Sequence, residues 1–408
     1  MRRLIKHLAA SFLFLLSSCV STSTTTLEAA PTVTRIVNPT SSPCISLAAA
    51  PTPGPNSPSL FPPITKSDHT RGPADAVVTI MVYGDLQDST SGLFAGVVNR
   101  LLTEYPDDVR FVSRIFPLVG RNDKAVFAAQ AVEAAEEQNR FWEMHDLLYS
   151  GQENWVNLSL EDFEQWSAAQ ASALGMDAAQ YQADVKSEAV VTFVRENFET
   201  AQKFGPFAVP LILINGNIYL GPQDFGSMKD IAELILLGER QFSECPPMIV
   251  ERTKQYLATL HTEKGDVVIQ LFADKAPFTV NSFIFLARNG WYDGITFHRV
   301  LPELYAQTGD PSGTGKGTPG YYVITEILPD LLFDKPGMVG MVNSGPDTSG
   351  SQFFITYTPT PQFDGRYTIF GQVLSGMDVL ESLTPRDAQI GTETPPGDKL
   401  LSVTIEER

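Results

Sequence analysis

The chain is poor in the residues from which metal centres and thiol redox sites are built. Its 408 residues include only three cysteines and five histidines. The glycine-rich stretch GDPSGTGKGTPG lacks the spacing of a phosphate-binding loop, GxxxxGKS or GxxxxGKT. Neither an HExxH nor a CxxC motif occurs, and there is no spaced cluster among the histidines, which are His7, His69, His145, His261 and His298. The sequence therefore predicts no metal site and no cofactor.

Positive charge is also scarce. Lys and Arg number 29 against 47 Asp and Glu, which gives a formal net charge of -18. A phosphate-binding surface needs clustered basic residues, so nucleic acid is not an expected partner.

Hydrophobic residues make up 43% of the chain, enough to form buried cores. At about 150 residues per domain, the length predicts two or three domains.

The apolar run at the N-terminus is too short to span a bilayer. It extends from Leu8 to Leu16, whereas a membrane-spanning helix takes about 20 residues. Basic residues precede it at Arg2, Arg3 and Lys6. A basic start followed by a short apolar run is typical of an export signal, which we assign to residues 1–18.

The end of this signal has a pattern of its own. The sequence LSSC at residues 16–19 resembles the lipobox of bacterial lipoproteins. The resemblance implies cleavage before Cys19 and attachment of lipid to its sulfur. A plain signal peptide with an incidental cysteine is the alternative. With lipid on Cys19, the protein would be extracytoplasmic and lipid-anchored to the cell membrane.

Residues 19–66 are dominated by Ser, Thr, Pro and Ala, as in STSTTT and APTPGPNSPS. Such a composition buries too little apolar surface to fold, so the segment is predicted to be an extended tether. If Cys19 carries lipid, Cys44 and Cys245 remain as a pair that an oxidising exterior would allow to join. Two free or unrelated thiols are the alternative, because spacing in sequence does not fix distance in space.

Residues 67–243 have the pattern of an α/β domain. AVVTIMVYGDL is a continuous apolar run typical of a central strand buried on both faces, and VRFVSRIFPL follows as a second strand. Apolar residues three and four apart predict helices from Lys124 to about Phe204. The sequence NGN at 215–217 predicts a tight hairpin, and a helix over about 224–237 ends the domain.

This order of elements, with the segments VYGDLQ, IFPL and FAVPLILINGNIYLG, resembles the thioredoxin fold and its DsbA-like branch. That branch carries a CxxC motif at the start of its first long helix, whereas the matching positions here, 88–91, read Asp-Ser-Thr-Ser. Hydroxyl and carboxyl groups cannot exchange disulfides, so dithiol redox activity is excluded, and we interpret these residues as a helix cap. Pro210, after Val209, matches the family's cis proline, beside which extended peptide binds. Two alternatives remain for this domain. It binds extended peptides in a groove beside Pro210, or it serves only as a scaffold or a dimerisation surface.

Residues 254–408 contain short alternating segments separated by glycine. KQYLATLHTEKGDVVIQLF predicts two strands about a Lys264-Gly265 turn. Pro277 and the Asn289-Gly290 pair bound a predicted helix, and a second, brief helix is predicted over about 377–383. Short strands with glycine turns favour a closed barrel, which leaves no exposed strand edge. The expected fold is multidomain: an α/β thioredoxin-like domain with a helical insertion, then an all-β-dominated closed barrel with two helices.

Three long segments of residues 254–408 carry a second resemblance. FHRVLPELYAQTGDPSGTGKGTPGY, GMVGMVNSGPDTSGSQFFIT and FDGRYTIFGQVLSGMDVLESL resemble cyclophilin-type peptidyl-prolyl cis-trans isomerases in order and spacing. Such an enzyme breaks no covalent bond, because it only lowers the barrier of about 18 to 20 kcal/mol to rotation about an X-Pro bond. In the twisted transition state the prolyl nitrogen gains a lone pair, which a fixed donor stabilises. Arg299, a permanent cation among apolar residues, is the candidate donor, and a surface ion pair is its alternative role.

The resemblance implies roles for further residues. Gln307 would hydrogen-bond the substrate backbone and help to fix Arg299. His298 is interpreted as a neighbour rather than a proton donor, because the reaction transfers no proton. Phe354 would be the floor that receives the proline ring. The predicted substrate-binding residues are Leu304, Tyr305, Val342, Asn343, Gln352, Phe354, Phe363 and Tyr367. Departures from the usual motif at Leu304, Val342 and Gln362 predict reduced or altered activity and weak cyclosporin binding.

The combined interpretation is an extracytoplasmic, lipid-anchored peptidyl-prolyl isomerase that assists the folding of exported proteins. Its expected partners are unfolded or proline-containing exported proteins, and the membrane through the lipid anchor. The N-terminal domain, without redox activity, would bind clients or serve as a scaffold. The alternative is a non-catalytic, peptide-binding holdase with a degenerate isomerase pocket. The sequence leaves open the oligomeric state, the clients and the membrane that bears the anchor.

Overall fold

The computed structural model describes residues 43–47, 59–204, 208–387 and 395–408. The predicted export signal at 1–18, the lipid site Cys19 and most of the tether therefore lie outside the described residues. Within the described ranges, no helix combines the length and the apolar character that a membrane crossing requires.

The N-terminal domain is built of a mixed sheet and a helical insertion. The first described strand, β1 (Cys44–Ser46), pairs outside this domain. The strands of the domain are β2 (His69–Arg71), β3 (Val78–Gly84), β4 (Val109–Ile115), β5 (Leu211–Ile214) and β6 (Asn217–Ile218). Its helices are α1 (Ser89–Glu104), α2 (Ala125–Glu136), α3 (Phe141–Ser150), α4 (Gln152–Trp155), α5 (Leu160–Ala173), α6 (Ala178–Val185), α7 (Glu188–Gln202) and α8 (Phe225–Leu237).

Strand β3 is the central strand that the apolar run predicts. The sheet order is β2-β4-β3-β5-β6, with β3 parallel to β4 and antiparallel to β5. Val78, Ile80 and Val82 face a core shared with α1 and α8, while Met81 and Tyr83 face a second core. All seven residues of β3 are buried, which explains why the run shows no polar alternation.

Local sequence signals set the ends of these elements. Asp88 accepts a hydrogen bond from the backbone N–H of Ser91 at the start of α1, so the helix-cap interpretation of this segment is confirmed. Asn215 and Gly216 both have positive φ, 46° and 81°, and turn β5 into β6 as the NGN hairpin predicts. The same capping occurs at four other helix starts, by Ser159, Asp177, Ser187 and Asp224.

The C-terminal domain consists mostly of strands. They are β7 (Tyr256–Thr262), β8 (Gly265–Leu271), β9 (Ile295–Thr296), β10 (Arg299–Leu301), β11 (Tyr305–Thr308), β12 (Tyr321–Val323), β13 (Met338–Met341), β14 (Phe353–Thr356), β15 (Ile369–Ser375), β16 (Arg386–Asp387) and β17 (Lys399–Glu407). Two α-helices accompany them in the described part of this domain, α9 (Pro277–Arg288) and α10 (Met377–Glu381). The β7–β8 turn falls at Glu263-Lys264 rather than at Lys264-Gly265, because Gly265 already pairs with Thr262.

Ten of these strands form one sheet, in the order β16-β10-β11-β14-β13-β15-β8-β7-β17-β9. Strands β9 and β10 lie near opposite ends of this order, yet two residues separate them in the chain. A two-residue link spans only about 10 Å, so the sheet must curl back on itself. The described strand pairs do not join β16 to β9, and full closure of the barrel stays a prediction.

A disulfide ties the tether to the region between the two domains. Cys44 and Cys245 are bonded across 201 residues of sequence. Strand β1 also pairs antiparallel with β12, with Cys44 opposite Val323. The structure thus contains the cross-link that the sequence allowed but could not establish, and the tether reaches the C-terminal domain as a short strand.

Candidate active site

The register of five neighbouring strands places the key side chains in one row. Asp387 on β16 lies opposite Arg299 on β10, which lies opposite Gln307 on β11. Gln307 lies opposite Phe354 on β14, and Phe354 lies opposite Gly340 on β13. Side chains of directly opposed residues share one face of a sheet, about 4.5 to 5.5 Å apart at Cβ. A cation, an amide and an aromatic ring are therefore brought side by side.

Arg299 is held by an ion pair. Its Nε donates to Oδ2 of Asp387 at 3.1 Å, and its Nη2 lies 3.0 Å from the same oxygen. The side chain of Arg299 is 24% exposed and that of Asp387 10% exposed. A guanidinium has five N–H donors, so this pair orients Arg299 without exhausting its hydrogen-bonding capacity. The cation is fixed at the edge of the pocket, in partial contact with solvent.

Gln307 takes part in a separate chain of amides. Its Nε2 donates to Oε1 of Gln352 at 3.0 Å, and Nε2 of Gln352 donates to the carbonyl of Gly317 at 3.0 Å. We expected Gln307 to help fix Arg299. In the structure Arg299 hydrogen-bonds Asp387, and Gln307 is fixed through Gln352. The sequence reasoning missed Asp387 because it lies 88 residues beyond Arg299.

Phe354 forms the floor of an apolar cluster. It is 3% exposed, and its ring centroid lies 5.5 Å from that of Tyr305, 5.4 Å from Phe363 and 5.3 Å from Tyr367. These three rings and Val342 are only partly buried, so they rim the floor at the surface. The sequence reasoning missed the other members of the cluster, which are Phe272, Leu331, Phe333, Met338 and Ile369.

Two predicted pocket residues are placed differently. Leu304 lies in the turn between β10 and β11, outside the apolar cluster, and its carbonyl accepts from the N–H of Tyr357. Side chains alternate between the two faces of β11, so Tyr305, two residues before Gln307, lies on the pocket face. The side chain of Asn343 is already hydrogen-bonded, since Nδ2 donates to the carbonyl of Arg366 in the segment before β15 and Oδ1 accepts from the N–H of Gly345.

The titratable groups near the row include a second cation, Arg386, which lies beside Asp387 on β16 and opposes protonation of His298. Burial lowers the pKa of His298 to about 4, so this ring is neutral. Burial also raises the pKa of Tyr305, although the charge of Arg299 opposes the shift. Within the described ranges, no three His, Cys, Asp or Glu side chains gather as a metal-ligand group. The arrangement can bind an apolar ring beside a cation, and it contains no activated nucleophile.

The N-terminal domain has a second candidate site at the start of α1. The Val209–Pro210 peptide bond is cis. Asp85, next to the helix start, is fully buried, and its carboxylate accepts from the N–H groups of Gln87 and Leu118 at 2.7 Å each. Burial raises the pKa of Asp85. The start of α1 thus carries hydroxyl and carboxyl groups. Cys44 and Cys245 are bonded to each other and lie outside this site.

Comparisons with known proteins also divide the chain into two domains. A family model described as cyclophilin type peptidyl-prolyl cis-trans isomerase matches residues 257–405, and a thioredoxin model matches residues 65–233. Peptidyl-prolyl cis-trans isomerase A of Mycobacterium tuberculosis is 42% identical over 166 residues, which cover 36% of this chain and 91% of the relative. Peptidyl-prolyl cis-trans isomerase CYP18-1 of Arabidopsis thaliana is 44% identical over 147 residues, 35% of this chain and 88% of the relative.

A solved structure is also similar. The crystal structure of a cyclophilin type isomerase from Cryptosporidium parvum is 32% identical, with a TM-score of 0.35, and the match covers 38% of this chain and 98% of that chain. The relatives in sequence are matched over most of their own length at well above 30% identity. The chain belongs to the cyclophilin-type peptidyl-prolyl cis-trans isomerases, and a thioredoxin-like domain precedes its isomerase domain.

Proposed function

We propose that this enzyme isomerises X-Pro bonds in exported proteins that fold outside the cytoplasm, and that lipid on Cys19 anchors it at the cell membrane. The support for the location is the N-terminal sequence together with the disulfide between Cys44 and Cys245, since disulfides persist in oxidising compartments. The support for the reaction at this site is the row from Asp387 to Phe354, which sets one oriented cation beside an apolar floor.

The mechanism follows from what this row can stabilise. The proline ring of the substrate packs on Phe354, between the partly buried rings of Tyr305 and Phe363. Arg299 donates to the prolyl nitrogen as it becomes pyramidal, and the planar ground states offer no such lone pair. The amide of Gln307 binds the peptide backbone, and Gln352, whose Oε1 accepts from Gln307 Nε2, supports it. Because no proton is transferred, the neutral His298 stays a spectator.

The shape of the pocket supports altered activity. Val342 stands at a position where the family usually has a small Ala, and the exposed residue Gln362 replaces an aromatic one. Leu304, which replaces an aromatic residue, lies outside the apolar cluster. A rim with fewer aromatic contacts binds the substrate and cyclosporin more weakly. We expect a working isomerase with a raised KM.

For the thioredoxin-like domain we propose client binding without redox chemistry. Thiol exchange needs a thiolate, and positions 88–91 at the start of α1 supply none. The second candidate function, a non-catalytic holdase, would use both domains only to hold unfolded chains. It is favoured by the departures at Val342 and Gln362.

An isomerisation assay on a short proline peptide separates the two functions. The wild-type protein should accelerate the reaction, and Arg299→Ala should lower kcat/KM by about a hundredfold, the typical loss for one transition-state donor. Arg288→Ala is the matched control, because Arg288 forms an exposed ion pair with Glu407 on the same domain. Rates at the uncatalysed level for both wild type and Arg299→Ala would favour the holdase.

A further inference from the structure

A segment of the chain crosses the second face of the N-terminal sheet without regular structure. Residues 59–68, here called the strap, form neither helix nor strand. None of residues 59–67 is fully buried, and Leu60 is 85% exposed. Phe61 and Ile64 pack against the core on this face, and the Phe61 ring centroid lies 5.8 Å from that of Tyr83 and 5.4 Å from that of Phe204. The strap is attached by a few side chains rather than by a ladder of backbone hydrogen bonds.

One arginine of the sheet binds the strap through its proline carbonyls. Arg114 on β4 donates from Nη1 to the carbonyl of Pro62 at 3.0 Å and from Nη2 to that of Pro63 at 2.9 Å. The same guanidinium pairs with Asp68 at the end of the strap. Proline has no N–H, so a proline-rich segment is recognised through its carbonyls and ring faces. An aromatic contact combined with donors to carbonyls is the usual way of binding such a segment.

The strap does not fill the space in which it lies. A cavity of about 1080 Å³ and another of about 200 Å³ flank it, and Pro62, Pro63, Thr65 and Asp68 line both. The larger cavity extends over Met81 of β3 and Leu213 of β5. Binding sites for small ligands and peptide side chains are about 300 to 1,000 Å³, whereas a packed interior holds few voids larger than a water. As far as the described residues go, the groove therefore has room for more than the strap.

We propose that this groove binds extended proline-containing segments of client proteins and that the strap is its resident competitor. A client that offers an aromatic residue before two prolines would repeat the contacts of Phe61, Pro62 and Pro63 with Tyr83, Phe204 and Arg114. The inference deepens the proposed function, on which it rests for the supply of proline-containing clients. A client held here is tethered near the isomerase domain, which raises its effective concentration at Arg299.

Occupation of the groove by the strap lowers the apparent affinity for a client. A tethered competitor acts at an effective concentration in the millimolar range, so the open groove is a minor state. The apparent Kd for a client is the intrinsic value divided by the open fraction. A strap held mainly by Phe61 and by Arg114 belongs to the low-stability part of the domain, so it can leave without unfolding the sheet. Weakening the strap should strengthen client binding.

The test uses the full chain and a fluorescein-labelled peptide with the strap sequence SLFPPITKS. Wild type should bind weakly, and Phe61→Ala in the protein should tighten binding about tenfold by opening the groove. The same peptide with Ala in place of Phe should bind about tenfold more weakly than the parent peptide to either protein. Isomerisation of a short proline peptide, too small to reach both sites, should be unchanged in Phe61→Ala.

A second pair of variants covers the case in which Phe61→Ala perturbs folding. Ser59→Ala removes two exposed hydrogen bonds, from Ser59 Oγ to the carbonyl of Gly216 and from the Phe61 N–H to Ser59 Oγ, and it should tighten binding about twofold to fivefold. Arg114→Lys keeps the charge and loses the fork for strap and peptide alike, so it is combined with Phe61→Ala, where the groove is already open and the added change should weaken binding.

Two results would overturn the proposal. One is no saturable binding to wild type, Phe61→Ala or Ser59→Ala at about 1 mM peptide, an affinity near the lower limit of specific recognition. The other is binding that none of the three variants changes, which would place the peptide elsewhere. Normal isomerase rates in such a protein would remove the groove proposal alone, whereas rates at the uncatalysed level would remove the proposed function.

Discussion

Gly340 lies directly opposite Phe354 in the pairing of β13 with β14, and a Cβ at position 340 would come within 2.4 Å of the Phe354 Cζ. The Phe354 ring therefore occupies the space that a side chain at position 340 of β13 would take. The same Cβ would lie 2.8 Å from Cζ of Phe333 behind it. A glycine at this position is what allows the floor to lie flat.

Gly340→Ala should therefore displace the Phe354 ring into the substrate site. We expect kcat/KM for a proline peptide to fall at least about tenfold, while overpacking costs about 1 to 3 kcal/mol of stability. Gly96→Ala is the matched control, because nothing lies within 4 Å of a Cβ at this position of α1. Unchanged activity in Gly340→Ala would show that the floor does not contact the proline ring.

Asp387→Asn tests whether the ion pair positions the cation. The variant keeps a hydrogen-bond acceptor and removes the charge that holds Arg299, so kcat/KM should fall about tenfold, less than for Arg299→Ala. Glu407→Gln removes the acidic partner of Arg288 at an exposed site and should leave the rate unchanged. If Asp387→Asn matches wild type at all substrate concentrations, Arg299 is fixed by other contacts.

The buried His298 makes stability depend on pH. Burial lowers its pKa to about 4, below the ordinary value of 6.5, so the unfolded chain binds the extra proton first as pH falls. Stability contributed by the neutral ring is present above about pH 6.5 and is lost towards pH 4, on the order of 2 kcal/mol by pH 5. Thermal midpoints at pH 7.5 and 5 should differ less in His298→Gln than in wild type. His261→Gln, at a more exposed histidine of the same domain, is the control.

The cross-link between Cys44 and Cys245 should stabilise the folded chain. A closed loop of 201 residues corresponds to about 5 kcal/mol in the chain-entropy description of the unfolded state. The Cys44→Ser, Cys245→Ser double variant should melt at a lower temperature than oxidised wild type. Wild type in reductant should melt at the same temperature as the variant. A reductant that leaves the wild-type midpoint in place would contradict the prediction.

Local sequence patterns predicted the elements well where the cause is local. The unbroken apolar run gave β3, the NGN turn gave the β5–β6 hairpin, and Pro277 with Asn289 bounded α9. Each of these signals acts within one or two turns of the chain, through burial, backbone conformation or a missing N–H. The family resemblance also predicted residues that the strand register does bring together, namely Arg299, Gln307 and Phe354.

Local sequence patterns could not predict which distant strands pair with each other. Asp387 meets Arg299 only because β16 pairs with β10, and no pattern in either segment specifies that partner. The family resemblance put Leu304 in the pocket, but the turn before β11 places it outside the apolar cluster. The register of β11 against β14, a tertiary property, decides which residue of 304–306 faces the site.

The disulfide also defines a load path. A pull on the chain ahead of residue 44 passes through a covalent bond to residue 245, in the segment that links the two domains. The hydrogen bond from the Ile324 N–H to the Pro43 carbonyl and the pairing of β1 with β12 share that load until they break, whereas the covalent bond persists. For as long as it stays oxidised, such a pull cannot carry Cys44 away from Cys245.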